Sequence, residues 1–292
     1  MSQRIREGII MGEKAKRLIG KISYHVSIIL FGFLMVYPVI WMILGSFKNN
    51  KDILNNSLKL LPDQWRFTNY STGWKGFGKV TFATFFQNSI FISVVTTFAI
   101  MISSALVAYA FARIKFKGRH FWFICMISTL MLPSQIVLIP QYIIFQKLGM
   151  VNTYTPLILP TFFGSAFFIF MMMQFISGLP GELDEAAIID GCTKYSIFTR
   201  IIFPLISPAL ITTIIIQFYW KWDDFLGPLI YLSRPEKYTV SLAIKMFADS
   251  TSTTDYGAMF AMSTLSLIPV FLIFLIFNRY LMEGISTSGL KG

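Results

Sequence analysis

The sequence predicts an all-α polytopic membrane protein: six transmembrane helices, with one short polar helix set between the fourth and fifth. Three observations carry that expectation. Of 292 residues, 55% are hydrophobic, 16% aromatic and only 13% charged, a balance foreign to a soluble domain. The charges gather between uncharged runs long enough to cross a bilayer. Within the hydrophobic second half, residues 182–191 read Glu-Leu-Asp-Glu-Ala-Ala-Ile-Ile-Asp-Gly, a polar insertion flanked by two such runs.

The first run covers residues 22–47, behind a segment carrying Arg4, Arg6, Lys14, Lys16, Arg17 and Lys21. It is about twice as long as the apolar core of a signal peptide, which predicts a retained span. Tyr37, Trp41 and Phe47 lie toward its far end, where amphipathic rings suit the outer interface. A mixed loop over 48–87 follows. In it Gly73, Gly78 and Lys79 trace the outline of a phosphate-binding G-x-x-x-x-G-K loop, but Val80 stands where that loop needs a Ser or Thr for Mg²⁺, and no strand precedes it. An ordinary turn is expected, and the chain carries no nucleotide-driven engine of its own.

The second span falls within 88–112, where Ser93, Ser103, Ser104, Ala105, Ala108, Ala110 and Ala112 permit close helix packing. Arg113, Lys115, Lys117 and Arg119 follow with no acid among them, which fixes that loop in the cytoplasm. The third span, 121–145, holds Pro133 and Pro140 with Gln135 and Gln141 beside them. Two readings stay open there, a packing kink or the lining of a wet pathway. The fourth span, 155–176, is interrupted by Pro156 and Pro160 and returns the chain to the cytoplasm.

There the polar insertion begins. Pro180 suits a helix start, Glu182, Asp184 and Glu185 crowd the first turn where the helix dipole favours acids, and Gly191 offers a left-handed stop. Thr193 then caps a second short helix over 194–203, running into Pro204 and Pro208. The fifth span, about 205–219, exits at Trp220-Lys221-Trp222-Asp223-Asp224. A polar outer loop over 233–256 and a last span over 257–280, with Pro269, complete a topology with both termini in the cytoplasm. Residues 1–22 and 282–292 are expected as cytoplasmic tails around a single transmembrane domain of 23–281, its polar loop at about 177–203.

Several function classes are excluded. The net charge of +11 resides in loops facing an anionic leaflet, and no basic patch interleaved with aromatics marks nucleic acid as a partner. Cys125, Cys192, His25 and His120 have no metal-ligand spacing. The acids of the apolar half fall at span ends, where a proton-driven carrier would need one at mid-membrane. Energy for active transport must then come from elsewhere. The polar helix can supply the contact, with Ala186 and Ala187 allowing close approach and Glu185 and Asp190 offering charge-assisted bonds; a solvated helix whose acids serve only the dipole is the other reading.

Glu185-Ala186-Ala187, three residues, Gly191, nine residues, Ile201, one residue, Phe203-Pro204 resembles the EAA loop of ABC importer permeases, departing only at Phe203, where Leu is usual. Trp222-Asp223-Asp224-Phe225 is similar to the W-N-D-F segment of the carbohydrate-type members, with Asp223 in place of Asn, and residues 284–292 resemble their C-terminal end. The resemblance to maltose-permease-like subunits implies the type I ABC importer permease fold in the bacterial cell membrane. It implies a second permease subunit, two ATPase subunits holding ATP and Mg²⁺, an extracytoplasmic sugar-binding protein and a saccharide substrate. Glu185, Ala186, Ala187, Asp190, Gly191 and Pro204 would then couple to the ATPase, with no catalytic residue and no cofactor in this chain. Tyr219, Trp220, Trp222, Asp223 and Asp224 supply the aromatic faces and planar polar groups that sugars require, or else form an interfacial belt. A permease for a non-sugar solute and an ion-gradient-driven carrier are the alternatives.

Overall fold

The computed structural model describes residues 2–56, 59–77, 79–247 and 255–289, and every regular element among them is helical. Gly78, residues 248–254 of the predicted outer loop and residues 290–292 of the predicted tail lie outside the described residues. In chain order the helices are α1 Ser2–Gly45, α2 Asn50–Asn55, α3 Thr68–Lys75, α4 Phe82–Arg113, α5 Arg119–Thr129, α6 Ser134–Lys147, α7 Thr155–Ile158, α8 Ala166–Ser177, α9 Glu182–Ile189, α10 Lys194–Ile197, α11 Phe203–Leu205, α12 Ser207–Trp222, α13 Leu226–Tyr231, α14 Val240–Met246 and α15 Tyr256–Gly289.

Two compact units divide the chain, Met1–Tyr70 with Asp255–Thr264, and Ser71–Thr254 with Leu265–Gly292. In the first, α1 presents exposed apolar side chains such as Leu30, Phe33 and Leu34, which lipid tolerates and water does not. Near its C-terminus Trp41 meets Phe260 edge to face, centroids 5.1 Å apart. Past the helix, Phe47 is surrounded by the rings of Trp65, Phe67 and Tyr70. It therefore belongs to an aromatic cluster whose Trp65 and Phe67 rings are exposed. Asn69 Nδ2 donates to the carbonyls of Ser46 and Lys48, both at 2.8 Å. A Cβ on Gly257 would lie 2.5 Å from that nitrogen, so any side chain there must displace the Asn69 amide. Lys48 is buried with Nζ donating to the Lys59 carbonyl, and burial lowers its pKa.

The second unit is built around α4, against which α8 and α12 pack. Ser93, Ser104, Ala105 and Ala108 are fully buried along it, so small side chains let the backbones approach, while Ser103, Ala110 and Ala112 are only partly covered. The predicted fourth span is α7, a 3-10 turn over Leu159–Phe163 and α8. Its break at Gly164 (φ 79°) is held from α4, because Ser104 Oγ accepts the Ser165 N–H at 3.2 Å and Ser103 Oγ donates to the Thr161 carbonyl at 3.0 Å.

Among the described residues four helical segments are long and apolar enough to cross a membrane: Arg17–Gly45, Phe82–Arg113, Thr155–Ser177 and Tyr256–Asn278. A fifth is the pair Lys194–Leu205 and Ser207–Trp222, bent by 73°. The all-helical membrane class stands, but the predicted third span is α5 and α6, of 11 and 14 residues. At about 1.5 Å per residue neither crosses a ~30 Å core alone. Pro133, which caps α6 in extended backbone, is the physical cause of the break.

Three further expectations change in detail. The segment of the fifth span that follows the bend at Ile206 runs to Trp222, so Trp220 and Trp222 are helical residues and the exit moves to Asp223. The polar outer loop is partly packed: Ser89 Oγ accepts the Val240 N–H at 2.8 Å, and Asn88 Nδ2 donates to the Glu236 and Tyr238 carbonyls. Of the G-x-x-x-x-G-K outline, Gly73 lies inside α3, and just after it the Phe77 and Val80 backbones pair.

Candidate functional site

The acid-led helix forms as the sequence predicts. α9 starts after Gly181, carries Glu182, Asp184 and Glu185 in its first turn, and ends at Asp190. Gly191 takes φ 78° and donates to the Ile188 carbonyl at 3.0 Å, while Cys192 N–H reaches the Ala187 carbonyl at 2.9 Å, a left-handed cap. Thr193 Oγ1 accepts the Ser196 N–H at 3.2 Å and caps α10. The predicted helix over 194–203 is not uniform: after α10 it widens to a π turn over Phe198–Ile202 before α11.

The predicted coupling residues divide into two faces. Glu185, Ala186, Asp190, Gly191 and Pro204 are exposed. Ala187 is not; it is 4% exposed and packs in the core cluster that holds Ala105, Ala108, Tyr109, Ile197 and Ile202. Its small side chain thus lets α9 sit on the protein's own core, a correction to its expected place beside Ala186. The sequence reading missed Ile188, Ile189 and Tyr195, which are 60%, 85% and 73% exposed. The signal was present, since adjacent helix positions are about 100° apart and Ile188 and Ile189 cannot both follow Ala187 inward. Ile188 and Ile189 thus form an exposed apolar step between Glu185 and Asp190.

α9 shares its end of the molecule with the basic loop. Arg113, the last residue of α4, ion-pairs with Asp184 at 3.1 Å, both side chains largely covered. Lys115, Lys117 and Arg119 follow directly. The alternation of spans predicted this shared end.

The second predicted group does not converge. Tyr219 and Trp220 are half exposed, Trp220 lying against Phe167 and Phe168 at 5.6 and 5.5 Å. Trp222 is 5% exposed, stacks on Phe218 at 5.7 Å and donates Nε1–H to the Ser266 carbonyl at 2.9 Å, so it is a packing residue rather than a free face. Tyr219, Trp222 and Asp223 border a cleft of about 190 Å³ with Ser241 and Ser266. Asp224 borders a different one, of about 330 Å³, with Gln135, Gln141, Thr161, Lys221 and Tyr231. Helical spacing separates these neighbours. Asp224 is held there by Lys221 at 3.1 Å and by accepting the Gly227 N–H at 3.0 Å. The two glutamines beside Pro133 and Pro140 thus line a cleft, and the Tyr231 hydroxyl buried beside it has no hydrogen-bond partner among the described residues.

Residues 104–287 match the family described as binding-protein-dependent transport system inner membrane component. The chain belongs to that family. This permease is 34% identical, over 89% of its length and 92% of the other's, to the arabinooligosaccharides transport system permease protein of Halalkalibacterium halodurans. It is 30% identical, over 95% of its length and 99% of the other's, to the trehalose/maltose transport system permease protein of Thermococcus litoralis. Its fold matches a chain in the crystal structure of a bacterial ABC transporter involved in the import of the acidic polysaccharide alginate, with a TM-score of 0.78 at 22% identity, covering 91% of the permease and 97% of that chain.

Proposed function

We propose that this permease is the translocation subunit of an ATP-driven importer for an oligosaccharide. It pairs with a second permease subunit and accepts solute from an extracytoplasmic binding protein. The spans, with both termini in the cytoplasm, alternate between outward- and inward-open arrangements. ATP and Mg²⁺ are held by two ATPase subunits, and α9 seats against them.

The observation that carries the coupling reading is the exposure of Ile188 and Ile189 on the same helix as Glu185 and next to Asp190. A helix whose acids served only its dipole would have no use for two isoleucines in water. An apolar centre with a charged rim is the anatomy of a protein interface. The saccharide class is supported by what the arabinooligosaccharide and trehalose/maltose relatives are named for. The cleft at Asp224 and the glutamines is supportive too, since about 330 Å³ with convergent amide, carboxylate and hydroxyl groups accommodates a sugar ring.

The test is uptake by proteoliposomes holding the assembled importer with its binding protein, offered radiolabelled arabinotriose, maltose, trehalose and an alginate trisaccharide. ATP-dependent uptake of one of these, surviving collapse of the ion gradients, is expected. Uptake that ignores ATP and disappears with the gradient contradicts the energy source. ATP-driven uptake of a peptide or amino acid with none of the four saccharides contradicts the cargo.

A further inference from the structure

We propose that α4 is the lever by which α9 acts on the membrane core, and that Arg113 and Tyr109 are the positioning residues that fasten α9 to it. The inference rests on the docking role of α9 proposed above. Arg113 and Tyr109 stand one turn apart at the C-terminal end of α4 and hold the two sides of the α9 segment. Arg113 grips the entry: Nη2 donates to the Leu179 carbonyl at 2.7 Å and to that of Pro180 at 3.5 Å, and Nε pairs with Asp184 at 3.1 Å. Tyr109 grips the exit: its hydroxyl donates to the Lys194 carbonyl at 3.2 Å, and its ring lies 5.3 Å from that of Phe198. Ala187 packs in the same cluster as Tyr109 and Ala108, between the two grips.

These contacts matter because the covalent connections of α9 are poor transmitters. It joins α8 through the turn at 178–181 and α10 through Gly191 at φ 78°, so a push on its exposed face would flex the joints before it moved a span. Two anchors on one rigid helix remove that freedom. One guanidinium donates to two carbonyls past the end of α8 and ion-pairs with a carboxylate in the first turn of α9, and a charged donor makes stronger ties than a neutral one. From Arg113 the motion has a direct route: about 15 Å along α4 lie Ser103 and Ser104, which hold the break at Gly164 between the 3-10 turn and α8. A displacement at α9 would then reach the interrupted span without passing through the chain between them.

The experiment compares the assembled importer carrying Arg113→Gln, Arg113→Lys, Tyr109→Phe and the double Arg113→Gln/Tyr109→Phe with the unaltered complex. It reads retention of the ATPase through purification, saccharide imported per ATP hydrolysed, for whichever of the four labelled sugars is carried, and amide hydrogen exchange over 182–190. Arg113→Gln is expected to keep the ATPase bound and hydrolysing while import per ATP falls roughly tenfold and exchange over 182–190 rises to a similar degree, the scale of one charge-assisted hydrogen bond. Arg113→Lys restores much of the ratio, Tyr109→Phe lowers it less, and the double variant lowers it most. Because losing a covered arginine can impair insertion, Tyr109→Phe, which removes a single oxygen, must itself lower the ratio. Fewer assembled complexes with an unchanged ratio would mean a merely structural role and would overturn the proposal. If the unaltered complex retains no ATPase, the docking role of α9 fails first; if it does retain it and neither ratio nor exchange responds to Arg113→Gln, only the two-point seat fails.

Discussion

Ala186 and Ala187 are adjacent in sequence and face opposite ways, one to solvent and one into the core. Enlarging Ala187 to Leu should overpack the cluster and destabilise the fold by ~1–3 kcal/mol, read as a lower midpoint in detergent thermal unfolding. Ile189→Ser, at a position 85% exposed, should leave that midpoint unchanged and cost ATPase retention instead. An unmoved retention would remove Ile189 from the interface. At Trp222 the indole N–H bond to Ser266 makes a stability prediction: Trp222→Phe should cost about 1 kcal/mol in the same assay without altering which sugar is carried. Residue types were legible from the sequence at these positions, but facing was not. Which of two adjacent alanines, or of the five aromatic and acidic residues between Tyr219 and Asp224, turns inward depends on the helices packed around them, and that packing is long-range.

Elements were legible where local chemistry dictates them. Acids at the first turn, a left-handed glycine and a threonine cap announced α9 and α10 within the sequence itself. Gly191→Ala should therefore strain the αL turn by ~1–2 kcal/mol, seen as faster amide exchange over the last turn of α9 while α4 and α8 stay protected. Elements interrupted by proline were read less well. Pro133 and Pro140 were equally good candidates for a bend, and only the surrounding helices decide that the chain breaks at Pro133 while Pro140 stays inside α6. The 73° bend at Ile206 has the same origin, since Pro204 and Pro208 permit a bend without fixing its angle. In the first unit, Gly257→Ala should unsettle the Asn69 bonds to Ser46 and Lys48, because those bonds pin the side chain that a Cβ would strike.

At the scale of the whole permease, composition and span alternation were enough to place the basic loop and α9 at one end, and the Arg113–Asp184 pair is the physical expression of that agreement. The cleft at Asp224 was less legible, because its polar groups come from α6, the turn before α8, α12, the connection after it and α13, stretches with no shared motif. The central claim is that an ATPase docks on α9. Its most direct test is site-specific cross-linking in the assembled importer: with Cys125 and Cys192 replaced by serine, Ile189→Cys is joined through a short thiol-reactive cross-linker to cysteines scanned over the ATPase surface. A cross-link that forms in high yield at α9, and that shifts partner position between nucleotide-free and ATP-bound complexes, is the predicted result. Cross-links that form only from the loop at 115–119, with none from Ile189 in an importer that still takes up solute, would contradict it.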